Sequence, residues 1–340
     1  MPLVSIITPS YNQAQFLEDT IQSVLRQDYE SIEYILVDGA STDDSPEIIR
    51  RYADRLAWWV SEPDRGQAEA INKGFQHATG EIVAWLNSDD LYLPGAVSWG
   101  VAALQADSTL GLVFGDALTI DAEGHPLNRL SFGDWGLLDL LSFRIICQPA
   151  VFMRRSVLER AGLLDNSYHL MLDHQLWIRM ARLAPVKHIP RVLAAARHHP
   201  QAKNIRQSAG FSQETQQVLE WIAQQPDLAV FYGQSRRRIQ GGAYRLQARY
   251  YLDGSQPAEA LRYYGRALLA SPRYALRHTH RMAYALLELV GLKKLAQGSL
   301  RRASARQKLQ NVQISELALI SQADLNSDSH WPGIRLSGSQ

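Results

Sequence analysis

Asn87-Ser88-Asp89-Asp90 sets two adjacent carboxylates at the end of the apolar run Ile82-Val83-Ala84-Trp85-Leu86. Charges at the tip of a buried strand are costly unless something cationic compensates them. Hard oxygen donors of this kind suit a divalent metal, magnesium or manganese. The same residue types also build turns, and Pro94-Gly95 follow closely. Taken alone, the four residues read equally well as a turn. The elements around them must decide.

Val4-Ser5-Ile6-Ile7-Thr8-Pro9 is a short β-branched run ended by proline, the pattern of a buried strand. Leu17, Ile21, Val24 and Leu25 then repeat at helical spacing, with Asn12 or Gln13 near the N-cap. Ile32 to Val37 reads as a second strand and ends in the turn-rich Asp38-Gly39-Ala40-Ser41-Thr42-Asp43. Ser45-Pro46 predicts a helix start, serine as N-cap and proline in the first turn. Leu56 to Val60 reads as a third strand. Ala68, Ile71 and Phe75 make the apolar face of a helix closed by Gly80, and Ile82 to Leu86 is the fourth strand.

Strands alternating with helices predict a doubly wound, mostly parallel α/β sheet. Ligands bind such sheets beyond the carboxyl ends of the strands. The loops there are Pro9–Asn12, Asp38–Asp43, Ser61–Gln67 and Asn87–Asp90, all polar. The first loop, Thr8-Pro9-Ser10-Tyr11-Asn12, lacks the G-x-G-x-x-G of a dinucleotide fold, and no Walker A pattern occurs.

These segments resemble glycosyltransferase family 2. The likeness rests on Ser5-Ile6-Ile7-Thr8-Pro9-Ser10-Tyr11-Asn12, Val37 to Asp43, Asn72-Lys73-Gly74 and Leu86-Asn87-Ser88-Asp89-Asp90. It continues through Gly115-Asp116, Gln148 to Arg155, Gly162-Leu163-Leu164-Asp165 and Met171 to Trp177, covering about residues 3 to 205. The resemblance implies a GT-A fold, with a nucleotide-sugar half at 1–115 and an acceptor half at 116–210. It also implies sugar transfer from a nucleotide-sugar, UDP-linked by expectation, to an acceptor hydroxyl with inversion. The acceptor expected is a cell-surface polysaccharide or a lipid-linked glycan. A divalent metal, Mg2+ or Mn2+, would neutralise the diphosphate leaving group, and a carboxylate would deprotonate the acceptor.

Residue by residue, the resemblance makes Asp89 the metal ligand, with Asn87 where the first acid of a D-x-D motif usually stands. By its place in an Arg-x-His stretch, Arg197-His198-His199, it adds His199 on the metal side. Asp173 becomes the general base; Leu172 stands where relatives often carry Glu. Pro9, Tyr11, Asp38, Arg65, Asn87 and Ser88 fall on the donor side, Tyr11 stacking on the base and Asp38 bonding base or ribose. Many relatives have two acids in succession where this chain has Asp38-Gly39. Gln148 and Trp177 fall on the acceptor side. The plainer readings are a cap for Asp173, a turn for Asp38, a solvated loop for Arg65 and core packing for Trp177.

Composition separates a second region. The chain has 340 residues, a net charge of +1 and one cysteine, Cys147, so no internal disulfide. Gln234 to Gln310 holds 16 Lys or Arg against three acids, a net of +13. The remainder carries 19 basic and 31 acidic residues. A basic region of 211–320 suggests an anionic partner, an anionic membrane surface being the first expectation; no RNA-binding motif accompanies it, and no nucleic acid is expected. Gly242 to Pro272 resembles one tetratricopeptide-like helical pair. The tail from Ser321 is rich in Ser, Asp and Gly and is expected to be disordered. The N-terminus has no signal-peptide pattern, and no apolar run approaches the ~20 residues of a membrane span. The expectation is a cytoplasmic protein, peripheral on the membrane at most. A catalytically silent GT-A-like scaffold is the rival reading. A nucleotidyltransferase is disfavoured, because Pro9-Ser10-Tyr11-Asn12 is not its Gly-rich, arginine-bearing loop.

Overall fold

The computed structural model describes residues 1–199 and 207–292. Lys293, Lys294, Arg301, Arg302 and the tail from Ser321 lie outside the described residues. The chain packs as two compact units. Their described parts are residues 1–136 with 146–198, and residues 137–145 with 199 and 207–292. The first unit's described part ends at His198, and the short stretch Leu137–Ile145 goes with the second unit.

The first unit is an α/β sheet. Its N-terminal half runs β1 (Val4–Ser10), α1 (Ala14–Leu25), β2 (Ile32–Asp38), α2 (Ser45–Arg51), β3 (Trp58–Ser61), α3 (Gln67–His77) and β4 (Ile82–Trp85). Strand order is β3-β2-β1-β4, all parallel. Every residue of β1 is buried, which is why the strand reads as a continuous apolar run with no alternation. Ser45 lies inside α2 rather than at its N-cap, which is Asp44. Its hydroxyl instead accepts the N–H of Gln13 in the loop after β1.

The rest of the sheet is mixed. β5 (Leu91–Tyr92), α4 (Ala96–Ala106), β6 (Leu112–Ile120), β7 (Pro126–Leu130), β8 (Val151–Arg154), α6 (Arg155–Ala161), α7 (Leu172–Ala181) and β9 (Val186–Arg197) follow, with α5 (Leu137–Leu141) belonging to the second unit. The sheet continues β4-β8-β6-β9-β5: β8 is antiparallel to both β4 and β6, and β9 is parallel to β6. The apolar periodicity of the N-terminal half announces a parallel sheet, but it carries no sign of these reversals.

The Asn72-Lys73-Gly74 segment is explained by packing. Gly74 lies flat on β1, where an added Cβ would come within 2.4 Å of an Ile7 methyl. Lys73 pairs with Glu62. The Asn72 amide clasps residue 164, donating to its carbonyl and accepting its N–H, at 2.8 and 2.9 Å.

The second unit is helical: α5, then α8 (Ser208–Gln224), α9 (Pro226–Asp253), α10 (Pro257–Ala270), α11 (Pro272–Ala275) and α12 (Thr279–Leu289). The pair at 242–272 closes on a small core of Ala248, Leu252, Ala260, Tyr264 and Ala285. Many of its arginines are engaged inside the unit. Arg238 binds Asp139, Arg249 and Arg281 bind Asp253, Arg262 binds Glu259, and Arg245 donates to the Phe143 carbonyl. Arg266 lies over the Tyr263 ring. The charge excess in the sequence therefore overstates the free basic surface. No described helix is long and apolar enough to cross a membrane.

His278, in this unit, titrates at about 4, lowered first by burial and then by the charges of Arg245 and Arg281. Its folded value lies below the unfolded one, so its contribution is present above pH ~6.5 and is lost as pH falls towards 4. Part of the ring meets solvent, which limits the loss to on the order of 1 kcal/mol. Calorimetric melting of wild type should lose stability over that window, and His278→Gln should flatten the slope.

Candidate active site

The carboxyl ends of β1 to β4 bring the four polar loops to one edge of the first unit. Two of these loops are cross-linked. Asn12 adopts a left-handed backbone (φ 52°), and its side-chain oxygen accepts the Thr42 N–H while its own N–H donates to Ser41. Asp43 accepts the Ala14 N–H at 2.9 Å. This lattice leaves Tyr11, 62% exposed, standing at the rim with its ring open to a stacking partner.

Asp38 ends β2 and is fully buried. Its carboxylate accepts the N–H and hydroxyl of Ser41 and the hydroxyl of Ser61 at 2.6 Å. It ties the β2 and β3 ends together. Pro9 is likewise buried within β1. Arg65 is exposed and paired with Glu69 in the first turn of α3.

The acidic segment after β4 is a turn, closed by the Asp90 N–H on the Asn87 carbonyl at 3.0 Å. Residues alternate: Ser88 and Asp90 face inward and are buried, while Asn87 and Asp89 are half-buried. The Asn87 amide is the hub. It accepts from Gln67 at 2.7 Å and donates to Asp90 and to Gln148. Gln148 in turn donates to the Trp85 carbonyl at 2.7 Å. Asn87 and Gln148 thus brace the turn.

The two acids differ in role. Asp90 accepts the Arg197 N–H and the Asn87 amide. Burial pushes its carboxyl well above the usual range, and the neighbouring Asp89 charge pushes the same way. Arg197, unremarked in the sequence except as the start of a His-containing stretch, is the cation beneath the turn. It is 4% exposed, donates to the carbonyls of Asp89 and Ala122, reaches Asp19, and lies over the Phe16 ring. A lone arginine ending the apolar Val192–Ala196 run is the signal the sequence offers for it. Arg197→Ala should lower stability by roughly 3 to 5 kcal/mol, because it strips a buried acid cluster of its cation. Chemical denaturation measures that loss.

Asp173 opens α7, its carboxylate accepting the His174 N–H at 2.7 Å. One turn later Trp177 is fully buried and stacks on Trp85 with ring centroids 5.1 Å apart. Trp177 is therefore a core residue; it has no face to offer an acceptor. Its packing draws α7 to the end of β4. Arg179 holds the carbonyls of Ala161, Gly162 and Leu163, and Asn72 holds residue 164, which fixes α7 against α3. Both Asp90 and Asp173 act electrostatically on the Cys147 thiol, whose pKa burial raises, so Asp173 and the acidic turn converge on the Cys147-Gln148 corner.

Asp89 falls in the first unit and His199, which is buried, in the second. Among the described residues, one group of three donors is close enough to share a cation, Asp121, Glu123 and His125, in the β6–β7 turn. That turn is held by the same Arg197 that holds the Asp89 carbonyl. The donor chemistry at residues 87–90 fits a hard divalent metal: the half-buried Asp89 carboxylate stands beside Asp90, whose charged form burial disfavours.

Residues 5–162 match the model of Glycosyl transferase family 2. Two uncharacterized glycosyltransferases are among the curated relatives. That of Rickettsia felis is 29% identical over 212 residues, covering 58% of this chain and 34% of its own length. That of Mycobacterium tuberculosis is 30% identical over 187 residues, covering 53% of this chain and 69% of its own. For the first curated relatives the match thus spans between a third and two thirds of their length. Among solved structures, S. aureus TarS 1-349 in complex with UDP-GlcNAc superposes with a TM-score of 0.57 at 16% identity, covering 88% of this chain and 92% of that one. The mannosyltransferase PcManGT from Pyrobaculum calidifontis, in complex with GDP-Man and Mn2+, gives 0.57 at 23% identity, covering 86% and 87%. These two likenesses are of fold.

Proposed function

Because this chain belongs to glycosyltransferase family 2, we propose that it moves a sugar, with inversion, from a nucleotide-sugar held beyond the ends of β1 to β4 to an acceptor hydroxyl. The fold is of the GT-A type. The observation that supports the reading is the braced turn at Asn87–Asp90, with α7, the helix that carries Asp173, packed on the end of β4 through the Trp85–Trp177 stack.

Each group then has a task. Tyr11 offers its ring to the base. Asp89 would hold a divalent metal, with Asn87, Gln148 and Arg197 fixing the turn that presents it. That metal would supply charge neutralisation for the diphosphate leaving group. Asp173, on the first turn of α7, takes the proton from the acceptor hydroxyl; the positive end of the helix favours its ionised form. Solved relatives in fold carry UDP-GlcNAc or GDP-Man, so the donor class supported is a nucleoside diphosphate sugar. A uridine donor and a cell-surface or lipid-linked glycan acceptor are the specific proposals. Attraction of the second unit to an anionic membrane surface is a further one, supported by exposed Arg236, Arg237 and Arg273, which have no ion pair among the described residues.

A thermal-shift screen of UDP- and GDP-sugars with Mn2+ tests the reading. A nucleotide-sugar that raises the melting point only with metal is expected. No shift with any nucleotide-sugar, with or without metal, would count against it.

A further inference from the structure

We propose that Asp64 is the acid that reads the nucleoside of the donor, standing in the place a side chain at position 39 would take. The inference rests on the donor-site reading above.

Asp38 is fully buried, and its two carboxylate oxygens accept three bonds from Ser41 and Ser61. The acid that remains at this edge comes from the next loop. A Cβ on Gly39 would lie 2.6 Å from Asp64 Oδ2, 3.2 Å from its Cγ and 3.4 Å from its Oδ1. Asp64 Oδ2 therefore occupies the space that a side chain at position 39 would need, and the two positions compete for it. Position 39 is itself fixed: its N–H donates to the Ser10 carbonyl at 2.9 Å, one residue before the exposed Tyr11 ring.

The two oxygens of Asp64 are not equivalent. Oδ1 accepts the Gly66 N–H at 2.8 Å, which holds the carboxylate in place. Oδ2 has no hydrogen-bond partner among the described residues, and the side chain is half-buried. A fixed carboxylate oxygen accepts only from donors. On a nucleoside bound against Tyr11 those are the ribose hydroxyls and the base N–H, and both are hydrogen-bond donors of one chemistry. A charge-assisted bond of this type corresponds to ~10- to 100-fold in affinity.

The test is titration calorimetry of the full chain with UDP and GDP in Mn2+, with inorganic pyrophosphate as the control. Asp64→Ala should weaken binding of whichever nucleoside diphosphate the wild type prefers by ~10- to 100-fold and leave pyrophosphate binding unchanged. Gly39→Asp alone should also weaken it, since two carboxylates cannot share the space. The double variant Gly39→Asp, Asp64→Ala should recover most of the affinity. If Asp64→Ala unfolds the loop, Asp64→Asn keeps the bond to Gly66 while removing the charge, and should weaken the nucleotide alone. The 2′-deoxy nucleotide separates the two sources: a loss that does not add to that of Asp64→Ala assigns the ribose, and an additive loss assigns the base; either supports the proposal. Unchanged affinity in Asp64→Ala, or a loss that Gly39→Asp does not recover, overturns it and leaves the donor-site reading standing. A wild type that binds pyrophosphate and nucleotides equally also overturns it. A wild type that binds none of these with Mn2+ overturns both.

Discussion

Asp89→Ala is expected to reduce sugar transfer by ~10^3-fold or more, with the fold retained. A metal on the leaving diphosphate contributes several kcal/mol of transition-state stabilisation, and each 1.4 kcal/mol is about tenfold in rate. The turn carries the argument for retention of fold. It is the Asp89 carbonyl, not its carboxylate, that receives the Arg197 guanidinium, and the turn closes through the Asn87 carbonyl. Both survive truncation of the side chain. Initial rates against Mn2+ concentration, with a melting curve alongside, measure the two effects separately. Chelation of the metal should bring wild type to the level of the variant. A wild-type rate indifferent to chelator would remove the metal from the reaction and Asp89 from its role. Asp90→Ala should show the opposite balance, lowering the melting point first, because Asp90 binds the Arg197 N–H and the Asn87 amide in a buried position. The contrast between two neighbouring acids is sharper than either result alone.

Much of the nucleotide half is legible in the sequence, and the reason is physical. A parallel sheet buried on both faces writes its strands as continuous apolar runs, as in Val4 to Pro9, and its loops as polar breaks. The candidate site residues of this half lie at those breaks, so their order along the chain can be read directly. What cannot be read is partnership. Asp38 is given a donor role by the resemblance alone; its bonds to Ser41 and Ser61 are tertiary detail that no local pattern shows. Trp177 sits on a helix whose apolar face is plain in the sequence, but its stack on Trp85 depends on a crossing that no local pattern encodes. Arg197 acts on residues more than 70 positions away, which periodicity cannot express. The charge excess of the helical unit misleads for a related reason. Counting arginines treats each as free, whereas Arg238, Arg245 and Arg281 are already bound to Asp139, Phe143 and Asp253.

Asp173→Asn should lower the transfer rate by ~10^2- to 10^4-fold while leaving nucleotide-sugar affinity nearly unchanged. The two readouts separate chemistry from donor binding. The amide keeps an oxygen that can accept the His174 N–H at the start of α7, so the helix end stays formed. What it lacks is basicity: an amide cannot take a proton from the acceptor hydroxyl. The proposed donor contacts are Tyr11 and a metal at Asp89, and the substitution alters neither. Kd for the nucleotide-sugar by calorimetry and kcat by product release therefore move independently, the first flat and the second down. Residual turnover should rise with pH, as deprotonation of the acceptor by solvent takes over the lost role. Wild-type kcat in Asp173→Asn would dismiss it as the base. A parallel loss of donor affinity would instead make it a positioning residue, acting through the Cys147-Gln148 corner on the turn that Gln148 braces. The Trp85–Trp177 stack packs α7, which carries Asp173, on the end of β4, the strand that leads into the acidic turn.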